Sequence, residues 1–464
     1  MIITGINKNH RFKMEDVTLL LIVLYMNFYT LFSNLLHLSN IKIVVPLMFL
    51  LSVTSVLFAR GYVILHKKTF SLCSFWIIFL FYQSVWLNLG EDNPLMMFRQ
   101  AMYFIIWFHI AQITKWNRRI MLLISSVCFI NTLATFVFFV KPSLYKIMIR
   151  IYGRSVSGTS GGRTGYRAAL ADHYSQNAIF ISMAVLAAAC ILLALLSNRN
   201  KYRRPFRIYG CMFFLSVIAL FLTSKRGPLL FCGVAIVMIY FLSGKKNVVK
   251  KIVIFCLIGI VTVGIFLVLA KYIPELSYTI ERFSDSGEDG SSQERKEMWK
   301  LAIKMFKEHP IFGNKTYSYR LQYAKTFGSR FMTHGNEAYQ KYLNSHDVFL
   351  QVLAENGIVG LILFAFAYFQ MFFSSIRTYF LVREVESDYK IVAAALFSVA
   401  IQIYFLFYCI TGNPMYDIFY FYYCCGMGIN LSLRVRYEPF FQLNRKILKN
   451  PVISLLSSLH YQKG

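Results

Sequence analysis

Residues 176–196 read Gln176-Asn-Ala-Ile-Phe-Ile-Ser-Met-Ala-Val-Leu-Ala-Ala-Ala-Cys-Ile-Leu-Leu-Ala-Leu-Leu196, without one charged side chain. About 20 such residues in a helix cross the roughly 30 Å hydrocarbon core of a bilayer. Working outward, apolar windows of similar length recur at 17–36, 41–59, 70–89, 94–113 and 119–140 before this run. They continue at 207–223, 227–243, 251–270, 357–380, 390–411 and 415–433 after it. Of the 464 residues 57% are hydrophobic and 15% charged, where a soluble domain carries about 25% charged. This predicts an all-α polytopic membrane protein of about 12 transmembrane helices, with a large helical extracytoplasmic loop before the tenth span. The formal charge of +28 does not indicate nucleic acid, because the basic residues lie between apolar runs rather than on one face. The expected surroundings are a lipid bilayer.

Charge sets the expected orientation. Alternate connections hold Lys8, Arg11 and Lys13; Arg60, Lys67 and Lys68; Lys115, Arg118 and Arg119; and Arg199 to Arg207. The series continues with Lys245 to Lys251, with Arg377, Arg383 and Lys390, and with Arg434 to Lys463. The short connections on the other side carry only Lys42, Lys225 and Arg226. Both termini are therefore expected in the cytoplasm. The first apolar run has no small-x-small cleavage site after it and reads as a retained helix. All nine cysteines fall inside predicted spans, which leaves no outer disulfide framework or Cys-based zinc site. The aromatic stripe Tyr404–Tyr423 reads as lipid contact and packing.

The organisation expected is then transmembrane helices 1–9 over 1–270, an extracytoplasmic catalytic loop over 271–356, helices 10–12 over 357–433 and a cytoplasmic tail over 434–464. An Arg-rich outer loop at 141–175 interrupts the first unit, and its Gly/Ser/Thr-rich centre Ser155–Gly165 reads as irregular. The larger loop carries twelve basic residues from Lys271 to Lys341. In it, Ser291-x-x-Glu294 is a capping box for a helix running to about Glu308 and stopping before Pro310. Met298, Trp299, Leu301, Ala302, Met305 and Phe306 form its 3.6-residue stripe. Arg295 sits on the edge of that stripe in the expected first turn, and the helix should lie against an apolar surface such as the membrane face of the core.

The loop ends in Asn344-Ser345-His346-Asp347 and a short apolar helix closed by Gly357. Asn344 or Ser345 is the expected cap, which places His346 in the first turn, where the helix-end partial positive charge disfavours imidazolium. A neutral imidazole there can accept a proton; a structural helix-start histidine fits the same residues. Arg226, in Thr223-Ser-Lys-Arg226-Gly-Pro228, lies at or below a membrane boundary, and Arg99 about one turn into the fourth helix. Such cations either line a cavity or snorkel to the interface, since mid-bilayer burial costs about 2.5–3.5 kcal/mol on insertion scales.

In order and spacing, these residues resemble the O-antigen ligase and polymerase superfamily of bacterial envelope glycosyltransferases. The resemblance runs from about 220 to 365 and rests on the Ser-Lys-Arg226-Gly turn, where the family form is Ser-Arg-Gly. It rests also on Arg295-x-x-x-Trp299 followed by Pro310 and Gly313, and on His346 leading into Glu355-x-Gly357-x-x-Gly360. Arg167 ahead of Asn177, and Arg154 ahead of Gly165, are similar to further family features. The resemblance implies metal-independent transfer, with no cofactor, from an undecaprenyl-diphosphate-linked oligosaccharide to a sugar hydroxyl. The reaction would occur on the outer, periplasmic side of the bacterial inner membrane. Arg226, Arg295, Arg167, Arg163 and Arg99 are then the candidates for the diphosphate, arginine suiting phosphate through its bidentate fork. His346 is the candidate base.

Two acceptors remain open. A polymerase extends another lipid-linked repeat unit, aided by a chain-length regulator protein; a ligase delivers the glycan to lipid A-core. The arginine-rich first loop favours the polymerase. A flippase or other transporter is the reading from a different class, and the outer placement of both long loops argues against a major-facilitator fold.

Overall fold

The computed structural model describes residues 14–36, 43–60, 67–89, 93–111, 116–152, 165–171, 173–196, 201–243, 290–332 and 344–449, with scattered positions between 249 and 272. Helices dominate. They are α1 Met14–Asn27, α2 Tyr29–Leu36, α3 Val45–Arg60, α4 Lys67–Leu72, α5 Ser74–Val85 and α6 Asn93–Ala111. These are followed by α7 Asn117–Val140, α8 Tyr145–Tyr152, α9 Tyr174–Leu195, α10 Arg203–Leu222 and α11 Arg226–Leu242. The last five are α12 Gly290–Glu308, α13 Ser318–Met332, α14 Val348–Val385, α15 Tyr389–Thr411 and α16 Phe419–Lys449. Among the described residues there is no strand, only an isolated bridge between Leu87 and Thr316.

A helix lies under every predicted apolar window except 251–270, which falls outside the described residues apart from scattered positions. Among the described residues five helices are long and apolar enough to cross a membrane, or six if α1 and α2 count as one span bent by 86°. The bend falls at Asn27–Phe28, where the buried Asn27 amide donates to the Val127 carbonyl at 3.4 Å. The third window is likewise broken at Cys73. Two boundaries differ further. The last helix begins only at Phe419, after a 3-10 turn over Pro414–Tyr416, and continues to Lys449 through what sequence assigned to the tail. The tenth window merges with the preceding short helix into α14, which departs from helical geometry at Gly357.

The uncharged run quoted first becomes the centre of the bundle. α9 is buried from Asn177 to Ile191, and α15 almost as completely, as expected of helices apolar on every face. Tyr404, Tyr420, Tyr422 and Tyr423 are fully buried, with the Phe405 and Tyr423 rings stacked at 3.9 Å. The aromatic stripe therefore packs the core, as one half of the expectation had it, with Ile410 among its exposed positions.

Successive connections alternate between two ends of this bundle. At one end Arg119 pairs with Asp16, Arg118 meets Asp388 at 3.2 Å and Arg383 donates to the Leu242 carbonyl at 3.1 Å. At the opposite end lie the turn 223–225, the segments 165–174 and 344–347, and the turn 413–417. α12 and α13 cover that end, and it holds the polar residues of interest.

Candidate functional site

Asp347, not Asn344 or Ser345, caps the helix after the His346 segment. Its carboxylate accepts from the Leu350 amide at 2.9 Å, two or three residues into the helix, as an N-cap does. Ser345 is engaged elsewhere: its hydroxyl donates to the Asp347 carbonyl at 2.6 Å. His346 consequently stands before the helix rather than in its first turn, on a left-handed backbone with φ 55°. That conformation costs a non-glycine residue about 1–2 kcal/mol and persists only where neighbours impose it.

Burial pushes the His346 imidazole down to about 4, aided by the charges of Arg295 and then Lys225. Packing and two cations are thus the causes of the depression. Among the described residues neither ring nitrogen of His346 has a hydrogen-bond partner.

Arg295 reaches this place because α12 is seated by its apolar stripe. Met298, Leu301, Ala302 and Met305 are buried against Tyr319 and Tyr323 of α13 and Ala354 of α14, and the Tyr319 hydroxyl donates to the Met298 carbonyl at 2.9 Å. The apolar partner is protein, not the membrane face of the core. The helix opens at Gly290, so Ser291 lies inside it and Arg295 falls in its second turn. Downstream, the chain turns at Pro310–Gly313 and crosses the kink of α14. The Ile358 amide donates to the Pro310 carbonyl at 2.9 Å, Val359 to Ile311 at 3.2 Å, and Asn314 to Ala354 at 3.0 Å. Gly313 (φ 73°) and Gly357 (φ 64°) make the crossing possible: a Cβ on Gly357 would lie 2.2 Å from the Ile311 carbonyl oxygen. This accounts physically for the Pro310, Gly313 and Gly357 pattern.

A second set of cations adjoins the first. Lys225 Nζ lies 3.9 Å from the centre of the Tyr174 ring, and the Arg167 guanidinium carbon 5.0 Å from the same ring, both within cation–π range. Arg167 also donates through Nε to the Thr223 carbonyl at 3.0 Å, while Asn177 donates to the Arg167 carbonyl at 2.9 Å. His173 caps α9, its Nδ1 accepting from the Ser175 amide at 3.1 Å. Burial, then Lys225 and Arg167, lower it too to about 4. Lys225 acts on both imidazoles, so the two sets form one continuous basic field.

Behind that field sits a buried polar network. Arg320 donates through Nε to the Asn344 side-chain oxygen at 2.8 Å and faces the Tyr416 ring at 5.3 Å. Glu355 accepts from the Tyr319 amide, from Gln351 at 3.0 Å and from the Tyr416 hydroxyl. Arg99 donates to the Tyr416 carbonyl at 2.8 Å. Asn356 donates to the Thr316 hydroxyl at 2.7 Å and accepts from Gln83.

Of the residues singled out from sequence, His346, Arg295 and Arg167 therefore share this field. Arg226 adjoins it, half-buried as the first residue of α11 directly after Lys225. Arg99 belongs instead to the network behind it, and Arg163 and Arg154 lie outside the described residues. Sequence reading passed over Lys225, His173, Tyr174, Arg320 and Gln351. Lys225 carried a signal, being the residue added to the Ser-Arg-Gly turn. Arg320 carried another, as a cation between tyrosines in Tyr317-Ser-Tyr319-Arg320. Among the described residues no three His, Cys, Asp or Glu side chains group as metal ligands.

Compared with known families, residues 211–365 match the one described as O-antigen ligase, Wzy_C. The match runs from within α10, through the 223–225 turn, α12, α13 and the His346 segment, to just beyond the Gly357 kink. No curated protein matches the chain.

Proposed function

From a chain whose residues 211–365 carry an O-antigen ligase domain of the O-antigen ligase and polymerase superfamily, we propose a membrane glycosyltransferase that polymerises lipid-linked repeat units. Its donor is an undecaprenyl-diphosphate-linked glycan, and its acceptor is a sugar hydroxyl of another such unit. The bond between the anomeric carbon and the diphosphate breaks as the acceptor oxygen attacks, undecaprenyl diphosphate leaves, and the acceptor proton passes to His346. Arg295 and Lys225 hold the diphosphate beside His346, with Arg226 and Arg167 flanking them; Arg163 and Arg99 are further candidates. Cations aimed at a leaving group supply the electrostatic part of catalysis, and a base supplies about 10²–10⁴-fold more.

One observation carries this reading: among the described residues neither nitrogen of the His346 imidazole is hydrogen-bonded, on a strained backbone where the charges of Arg295 and Lys225 bear on it. A base at about 4 is weak, but an anion placed between Arg295 and Lys225 offsets the charges that depress it. The donor then raises its own base toward the ordinary range. In this proposal the twelve predicted helices span the inner membrane, both termini are cytoplasmic, and the site faces the periplasm. The basic connections at the opposite end support that orientation.

Transfer to lipid A-core is the second reading, favoured by the matched family's description. Purified protein in lipid nanodiscs, given undecaprenyl-diphosphate repeat units without core lipid, separates them. A ladder of products supports the polymerase; product only after core lipid is added supports the ligase. Movement of lipid across vesicles without new glycosidic bonds would overturn both.

A further inference from the structure

Gln351 has no exposed surface, yet its side chain is the most connected polar group near His346. Its oxygen accepts from the Ser345 amide at 3.3 Å, the Ser345 hydroxyl at 3.4 Å and Asn413 at 3.0 Å. Its nitrogen donates to the Asn344 side-chain oxygen at 3.3 Å and to Glu355 at 3.0 Å. Asn344 is held from the other side by Arg320 at 2.8 Å. The two residues before His346 are thus tied to the first turn of α14 by one amide, and the residue after it is the cap of the same helix. Between those ties the chain is short, and His346 takes the left-handed conformation that closes it.

We infer that Gln351 is a positioning residue, whose amide holds Asn344 and Ser345 so that the His346 imidazole faces Arg295 and Lys225. This rests on the reading of His346 as base. The amide is chemically specific here, because one planar group supplies acceptor and donor at once. A methionine of similar length supplies no donor and only a weak sulfur acceptor. Buried networks of this kind hold one geometry only while every member is satisfied.

The test compares Gln351→Met, Asn344→Ala and His346→Ala with the wild type in nanodiscs, by steady-state transfer and by carbethoxylation of histidines with diethyl pyrocarbonate. Peptide mass spectrometry reads modification of His346 against the exposed His309. Gln351→Met should lower kcat about 10–100-fold with KM within about threefold, as a small misplacement of a reacting group does. His346 should be modified faster, with His309 unchanged.

Wild-type kcat in Gln351→Met beside an inactive His346→Ala would overturn the positioning role while leaving the base in place. Should Gln351→Met not fold, Asn344→Ala decides from outside the helix, and wild-type kcat and modification there would overturn the inference. If His346→Ala itself keeps transfer, the base reading falls and modification alone judges Gln351. An unchanged rate at His346 then removes the role, and a faster one upholds it.

Discussion

His346 and His173 present nearly the same electrostatics. Both are depressed to about 4 by burial first and cations second, and both feel Lys225. Their chemistry nonetheless diverges. His173 sits on extended backbone (φ −141°), spends Nδ1 on the Ser175 amide as a helix cap, and stacks on Tyr174 at 4.3 Å. His346 sits on left-handed backbone, and among the described residues its ring nitrogens have no hydrogen-bond partner. The lesson is that a perturbed pKa marks an environment, whereas an available nitrogen held at a strained position marks a candidate for chemistry.

That contrast can be broken outright. His346→Ala should lower kcat about 10²–10⁴-fold in the repeat-unit ladder assay, with the thermal midpoint little changed; a loss of similar size in His173→Ala would erase the distinction. The seat of α12 comes next. Gly357→Ala forces a side chain toward the Ile311 carbonyl oxygen at 2.2 Å on a left-handed backbone, and strain of that kind costs about 3 kcal/mol or more. Thermal unfolding in nanodiscs should show it together with lost transfer.

Arg295→Ala should reduce kcat/KM about 10–100-fold, the worth of one charge-assisted contact to phosphate. Arg295→Lys should recover only part, because a point charge does not reproduce the fork. His173→Ala should leave kcat within about threefold of wild type while lowering stability by about 1 kcal/mol, as loss of a cap does.

The smallest effect sharpens the comparison most. Folding lowers His346 from 6.5 to about 4, so the base stays unprotonated as pH falls through that window and is lost only near about 4. Lys225→Met removes one depressing charge and should move the acid limb of kcat/KM upward, by about half a unit to one unit. An unmoved limb would show that Lys225 does not act on this imidazole.

Much of the fold was legible because it is written in composition and period. Uncharged runs such as 176–196 announce helices, and the stripe from Met298 to Met305 announces α12 almost to the residue. The Glu355-Asn356-Gly357 sequence marked the kink, since a left-handed position beside another backbone favours glycine. The cap assignment failed because Asn344, Ser345 and Asp347 are all good caps locally. Gln351, in the first turn of the helix itself, and Arg320, on α13, engage the first two. α13 was missed because its tyrosines and cations show no clean stripe until α12 and α14 supply the surface they pack against.

Helical character and affinity for a bilayer were properties of stretches, readable wherever enough neighbouring side chains agreed. Which cation meets which imidazole was a property of distance between segments about 50 to 120 residues apart. Lys225 acts on His346, and His173 shares the field, because helix packing brings the 223–225 turn, α12 and the start of α14 to one end of the bundle. No local pattern encodes that meeting: Coulomb interaction and hydrogen bonding depend on separation in space, and only the packed helices set it.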